Sequence, residues 1–327
     1  MRVLLVKLSS LGDVVHSLPA AMDLQTQRPE VQIDWVVEPA FAPLLELCPA
    51  VKRVIPCDMR KWRRQWWTAQ TRQAWRSFQQ ELQSKAYDAV IDLQGLSKSA
   101  LISKLAKLSP NGKRYAMANR TEGSGYEAPT RWVADVALPC EWHSHALGRA
   151  RHICAQALGY ALPNHLQTGL QALPHPDVQA RTVALVHGSS RADKAWPLAH
   201  WQTLAHTLQQ QGFALALPHA NDAELQTAQA VAGACPGAVI WPRCDLVELT
   251  QRLAACMGVV GVDSGVSHIA VALGLPHVQI YNFDTAWRTG PKGCAWQQSV
   301  FAKPTPSPAA VLSAWAAACI AAETQQP

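Results

Sequence analysis

The chain has 327 residues, 49% of them apolar, with a formal net charge of +6. That length suits two domains better than one core, and the apolar fraction excludes an intrinsically disordered chain. No apolar run reaches the roughly 18 residues that span a bilayer, and the segment after Met1 reads as a strand, not a secretory leader.

In chain order the pattern alternates strand and helix. The Val/Leu run Arg2–Leu8 reads as a strand that hands over, through Ser-Ser-Leu-Gly, to a helix at Asp13–Arg28. Further strands are expected at Gln32–Glu38, Tyr87–Leu93 and Arg114–Met117, with helices near Trp66–Lys85 and at Ser97–Leu108 and His145–Leu158. Near-continuous Val/Ile/Leu runs suit parallel strands buried on both faces. Pro174 and Pro176 mark a linker. The alternation then restarts, with strands at Thr182–His187, Phe213–Pro218, Ala238–Trp241, Gly258–Val262 and Val278–Asn282. Helices are expected at Leu198–Gln211, Asp222–Gly233, Leu246–Cys256, Val266–Leu273 and Ser307–Ala322. The expected fold is α/β, two doubly wound Rossmann-like domains facing across a cleft. Residues 1–173 form the first domain, 174–181 the linker and 182–306 the second. Residues 307–327 form a helix packing back toward the first domain, and a loose tail, ETQQP.

The charge is uneven. Residues 1–150 carry 20 Lys and Arg against 14 Asp and Glu, whereas residues 151–327 carry nine of each. A polyanionic partner should therefore meet the first half. The nine cysteines are odd in number, irregularly spaced and without a Cys-x-x-Cys pair, which fits reduced thiols in a cytosolic protein better than disulfides or zinc.

In such a fold, ligands bind where strands hand over to helices. Four handovers stand out. In KLSSLGDVVHSLPA, Asp13 either caps the helix or presents an ionised carboxylate able to take a proton from a hydroxyl. In VHGSSRADKAWP, small residues and Lys194 suit an anion, or form a plain polar loop; the motif is not a Walker A loop. In GVVGVDSGVSHIAVALGLP, Asp263, Ser264 and Gly265 open a helix whose free N–H groups make a diphosphate seat, with Ser267 and His268 in its first turn. No G-x-G-x-x-G or G-x-S-x-G accompanies them. In LPHANDAELQTAQAV, Glu224 either accepts from ribose hydroxyls or complements a helix dipole. Apart from these, RKWRRQWW reads either as a solvated basic loop with tryptophans packing below or as an anion clamp made by Arg60, Arg63 and Arg64, with Lys98 and Arg120. Nucleic acid is the weaker partner there, because one such cluster stands without any RNA- or DNA-binding signature.

Together KLSSLGDVVHSLPA, DWVVEPAFAPL, RKWRRQWW, YDAVIDLQGLSKSALI, HGSSRADKAWP and VDSGVSHIAVALGLP resemble the bacterial lipopolysaccharide heptosyltransferases, in one unbroken order from Arg2 to about Tyr281. The resemblance is greatest to the members that add the first heptose of the inner core. It implies an inverting GT-B glycosyltransferase that uses ADP-L-glycero-β-D-manno-heptose and the Kdo of Kdo-lipid A. The protein would be cytoplasmic and peripheral on the inner membrane, with no cofactor and no metal. Asp13 would be the catalytic base and Lys194 would hold the diphosphate. Ser189 and Ser190 stand where the family often has Thr-Thr. Asp263 would bind heptose hydroxyls, and Ser264, Gly265 and Val266 would seat phosphate, with His268 close by. Glu224 would hold the ribose. Arg60, Arg63, Arg64, Lys98, Arg120 and His145 would meet the anionic acceptor. The alternatives are a transferase of the same fold acting on a later heptose, or a nucleotide-sugar-binding protein without catalysis. The sequence departs from the family at YNFDTAWRTGP, where Tyr-Gly-Pro-Thr-Asp-Pro is usual, at Cys244 in WPRCDL, and across residues 117–142.

Overall fold

The computed structural model describes residues 1–324. Two compact units divide the chain after Gly169. The first runs β1 (Arg2–Val6), α1 (Leu11–Gln27), β2 (Gln32–Val37), α2 (Ala42–Glu46), β3 (Val51–Pro56), α3 (Met59–Arg64), α4 (Ala69–Gln83), β4 (Tyr87–Asp92), α5 (Ser97–Leu105), β5 (Leu108–Met117), α6 (Pro129–Val133), β6 (Val136–Leu138) and α7 (Ala146–Leu158). The second runs β7 (Thr182–Val186), α8 (Leu198–Gln210), β8 (Ala214–Leu217), α9 (Asp222–Ala234), β9 (Val239–Ile240), α10 (Leu246–Ala254), β10 (Gly258–Val262), α11 (Gly265–Ala272), β11 (His277–Tyr281), α12 (Ala286–Thr289), β12 (Gln297–Phe301) and α13 (Pro308–Glu323).

Each unit holds one six-stranded sheet, ordered β3-β2-β1-β4-β5-β6 in the first and β12-β11-β10-β7-β8-β9 in the second. Numbered within its own unit, the second order is the same as the first. Every pairing is parallel. The central strands β1, β7 and β10 are buried almost throughout, because helices cover both faces. Leu4, Val6, Val36, Val90, Phe78 and Ile102 pack one core. Val183, Leu185, Trp201, Val260, Val278 and Trp315 pack another.

Strands β3, β6 and β12 escaped the sequence reading. They lie at the sheet edges, and β3 (VKRVIP) and β12 (QQSVF) alternate polar, half-covered positions instead of showing an apolar run. Strand β5 starts six residues before the expected Arg114, its opening hidden by Pro110 and Gly112.

The unit boundary falls before the expected linker, since Leu170 is buried and its N–H donates to Ala272 O at 3.3 Å. The His175 N–H likewise donates to Gln251 O at 3.0 Å, so residues 170–175 belong to the second unit. The C-terminal helix was expected to turn back toward the first domain. Its buried residues Val311 and Trp315 complete the second core, the Trp315 ring edge-on to Phe213 at 5.9 Å. Gly258 makes room for it, because a Cβ there would stand 2.6 Å from the indole. Of the tail expected to be loose, Glu323 ends α13 and residues 325–327 lie outside the described residues.

Trp315→Ala should therefore cost roughly 3–5 kcal/mol of stability, read as a lowered denaturant midpoint in chemical unfolding; an unchanged midpoint would contradict the assigned packing.

Candidate active site

In a doubly wound sheet the ligand crevice opens at the carboxyl ends of the strands where the order reverses. That point lies between β1 and β4 in the first unit and between β7 and β10 in the second.

In the first unit, β1 runs into Lys7-Leu8-Ser9-Ser10, and Asp13 enters as the third residue of α1. The Ser10 N–H and Ser10 hydroxyl both donate to Asp13 Oδ2, at 3.1 and 3.0 Å. The N-cap is therefore Ser10 and not Asp13, which completes a capping box from the third helical position through one carboxylate oxygen. The other, Oδ1, stands 3.9 Å from the Nζ of Lys7, which is itself buried and donates to Leu93 O at 3.2 Å. Burial alone would raise the Asp13 carboxyl. The Lys7 ammonium, the two Ser10 hydrogen bonds and the Arg149 guanidinium outweigh it and hold the group below its ordinary value. Lys7 in turn is lowered by its burial, against the pull of Asp13 and Asp92.

The loop that carries this pair is pinned from β4. Gln94 Oε1 accepts from the N–H groups of Leu8 and Ser9, at 2.9 and 3.1 Å. Asp92, fully enclosed and pushed up to about 6 by burial, accepts from Gln94 N, Gly95 N and Ser99 Oγ. Lys98 donates to Ser9 Oγ at 3.0 Å and to Glu38 Oε1 at 3.2 Å. Arg60 Nε reaches the same Glu38 oxygen at 3.1 Å. Two of the expected acceptor-binding cations are therefore gathered by an acid at the end of β2.

The others are placed differently. Residues 60–64 form most of a helix, α3, capped by Asp58, in place of the expected loop. Trp62 packs below it on Trp75 and Phe78, at 5.5 and 5.3 Å, but Trp66 and Trp67 are 68% and 60% exposed. Arg63, Arg64 and Arg120 are exposed. His145 is buried, and its Nδ1 accepts from the Leu147 N–H as the N-cap of α7.

In the second unit, β10 delivers Asp263 to the mouth of α11. Lys194 Nζ donates to Asp263 Oδ2 at 2.6 Å, and His268 Nε2 lies 3.4 Å from Oδ1. Gln279 Nε2 and Thr289 Oγ1 approach Oδ1 at 3.4 and 3.5 Å. Burial would raise this carboxyl, but His268 and Lys194 outweigh it and hold it well below the carboxylate range. Ser264 caps α11, accepting from Ser267 N, and half-buried Gly265 and Val266 open its first turn. Glu224 accepts from Ala220 N and Asn221 Nδ2, at 2.8 and 3.0 Å. It lies so close to the β7 turn that a Cβ on Gly188 would stand 2.6 Å from its carboxyl carbon. Ser189 accepts weakly from Arg191 N at 3.4 Å, and Ser190 is exposed. Among the described residues no group of three or more His, Cys, Asp or Glu side chains is placed to hold a metal ion.

An acid kept ionised can take a proton, and an ammonium beside a helix N-terminus can hold a diphosphate. Against that chemistry, the model of glycosyltransferase family 9 (heptosyltransferase) matches residues 75–307. The chain belongs to this family of heptosyltransferases. Lipopolysaccharide heptosyltransferase 1 of Pseudomonas aeruginosa is 38% identical over 296 residues, 90% of this chain and 82% of that relative. The solved structure of Escherichia coli heptosyltransferase WaaC with ADP is 32% identical, with a TM-score of 0.86 over 96% of this chain and 98% of that one. WaaC with ADP-2-deoxy-2-fluoro heptose matches at 32% identity and a TM-score of 0.78, over 99% of each chain. The enzyme thus shares the two-sheet α/β fold of a GT-B glycosyltransferase, as the sequence led us to expect.

In this heptosyltransferase, sequence reasoning overlooked Lys7, Glu38, Gln94, Gln279 and Thr289. Lys7 and Glu38 each follow directly on a buried strand, a polar residue where an apolar run stops, and that signal was readable. Nothing local marks Gln279 or Thr289.

Because the folded Asp263 carboxyl titrates below its unfolded value, the unfolded chain takes up that proton first as pH falls. The resulting stability is present above the ordinary carboxylate range, near 3.8, and is lost as pH drops through and below it. Asp263→Asn should flatten the fall in unfolding free energy between about pH 5 and pH 3, measured by denaturant titration at each pH; an unchanged slope would contradict the assignment.

Proposed function

We propose that this heptosyltransferase moves L-glycero-D-manno-heptose from ADP-L-glycero-β-D-manno-heptose to the Kdo of Kdo-lipid A, the first heptose of the lipopolysaccharide core, with inversion. The supporting observation is that an ionised carboxylate, Asp13, and an ammonium beside a helix N-terminus, Lys194, each stand at the order-reversal point of their own sheet. The 38% identity to a lipopolysaccharide heptosyltransferase 1 and the likeness to WaaC bound to ADP and to a fluorinated ADP-heptose support this choice of substrates.

In this reading Asp13 accepts the proton of the attacking Kdo hydroxyl as its oxygen bonds to the anomeric carbon. The bond from that carbon to the β-phosphate oxygen breaks, and ADP leaves with the electron pair. Lys194 and the α11 N–H groups at Ser264, Gly265 and Val266 stabilise the charge gathering on the diphosphate. Ser189 and Ser190 line the same phosphate path, Glu224 meets the ribose, and Asp263, steadied by His268, meets heptose hydroxyls. Fixed donors act here with little reorganisation, which favours the transition state over the ground state.

The acceptor side would be met by Arg60, Arg63, Arg64, Lys98 and Arg120, with buried His145 behind them against His16. Exposed Trp66 and Trp67 beside Arg63 and Arg64 suit a peripheral contact with the anionic cytoplasmic face of the inner membrane, where the lipid-anchored acceptor lies. No described helix is long and apolar enough to cross a membrane.

The direct test is ADP release from ADP-heptose in the presence of Kdo-lipid A; folded protein that releases none above background would end this reading. Asp13→Asn retains the hydrogen-bonding shape of the cap but not the base, so turnover should fall about 100-fold or more while the thermal midpoint holds. A variant with near-normal turnover would point to binding without this catalysis. Lys7→Met removes a charge that lowers the Asp13 carboxyl, so the acid limb of the pH–rate profile should move to higher pH; a limb that stays or moves down would show that Lys7 does not tune the base.

A further inference from the structure

The segment Tyr281-Asn282-Phe283-Asp284, which departs from the family pattern, sits at the carboxyl end of β11. Half-buried Asn282 makes three side-chain hydrogen bonds there. Its Nδ2 donates to Asp193 O at 3.0 Å and to Ala195 O at 2.9 Å, the carbonyls on either side of Lys194. Its Oδ1 accepts from Thr305 Oγ1 at 2.7 Å. Two carbonyls demand both amide hydrogens, so these partners fix which way the amide points.

Lys194 closes a single 3-10 turn, Ala192–Lys194, whose own backbone bonds are Lys194 N to Arg191 O and Ala195 N to Ala192 O, both 3.1 Å. A turn that short and that exposed has little rigidity of its own. The lysine stem adds four rotatable bonds, yet its ammonium is delivered to 2.6 Å from Asp263. Something outside the turn must hold its backbone. Trp196 supplies one anchor, its indole N–H donating to Pro306 O at 2.9 Å. Asn282 supplies the other, directly across the residue that matters.

We propose that Asn282 is a positioning residue for Lys194: with its amide oriented by Thr305, it clamps residues 193–195 so that the ammonium is presented ready for the donor diphosphate. The clamp rests on reading Lys194 as the diphosphate's cation. It acts through Lys194 and needs no contact between Asn282 and the nucleotide.

The experiment is a double-mutant cycle with ADP as probe, read by calorimetric titration of the full chain, with thermal midpoints taken alongside. Lys194→Met should weaken ADP binding, and Asn282→Ala should weaken it about tenfold in the otherwise unaltered protein. In the Lys194→Met background the same Asn282→Ala change should alter affinity by less than about twofold, because the side chain it positions is gone. Thr305→Val, a smaller lesion, should give a weaker loss that also vanishes in that background, and it keeps the test open if Asn282→Ala folds poorly. Equal losses in both backgrounds would assign Asn282 a general structural role and overturn the clamp. No loss from Asn282→Ala or Thr305→Val in folded protein would overturn it as well. If Lys194→Met itself leaves ADP affinity unchanged, the reading of Lys194 fails and takes the clamp with it; a Lys194 effect without an Asn282 effect sinks the clamp alone.

Discussion

The contact on which the second unit's site depends is the 2.6 Å hydrogen-bonded ion pair between Lys194 and Asp263. Both partners are largely removed from water, with side-chain exposures of 21% and 6%. A lone charge at that depth would be costly, so each requires the other or a substitute of matching sign. That requirement explains the surrounding construction. Gln279, Thr289 and His268 approach the Oδ1 of Asp263, leaving Oδ2 to the ammonium. An anionic diphosphate is such a substitute for the carboxylate opposite the ammonium, and hydroxyl groups can donate hydrogen bonds to the carboxylate it displaces. The pair therefore stores, in the protein alone, the polarity that a nucleotide sugar would meet.

The first unit solves a related problem with different parts. Asp13 is held charged while half-covered, and Lys7, the residue after β1, supplies the compensating charge. Lys7 is itself buried and lowered by that burial, with Asp13 pulling the other way. The Gln94 side chain accepts from two N–H groups of the loop between them, and the Asp92 side chain in turn accepts from the N–H groups of Gln94 and Gly95. Around this centre, Glu38 gathers Lys98 and Arg60 and holds their cations near the strand ends, with the Arg60 side chain still 69% exposed. The unit's excess of positive charge is thus partly organised and partly, at Arg63, Arg64 and Arg120, left exposed.

Much of the fold was legible because buried parallel strands leave an apolar run in the text. The strand at Gly258–Val262 was read to its ends. The edge strands β3 and β12 were not, since each alternates half-covered positions that carry Lys, Arg, Gln or Ser. Helix α13 was found as a helix, but a nearly uniform Ala-rich surface does not say which core it serves; Trp315 does, once its fit over Gly258 is seen. Among the site residues, those at strand–helix junctions could be picked out from Ser, Asp and Gly at a turn. Lys98 was chosen for its charge, and its tie to Glu38 could not be read from the chain.

The sequence by itself determined the alternation of elements, the parallel sheets, and the junctions that carry Asp13, Lys194, Glu224 and Asp263. These follow from local periodicity and from which residues tolerate a helix start. Tertiary structure alone decided what each of those residues faces. Lys7 bonds to a carbonyl 86 residues away, Lys194 pairs with an acid 69 residues on, and Asn282 reaches back 89 residues to the turn that carries Lys194. Contacts of that span are made by the order of strands within a sheet, a non-local property that no window of the chain records.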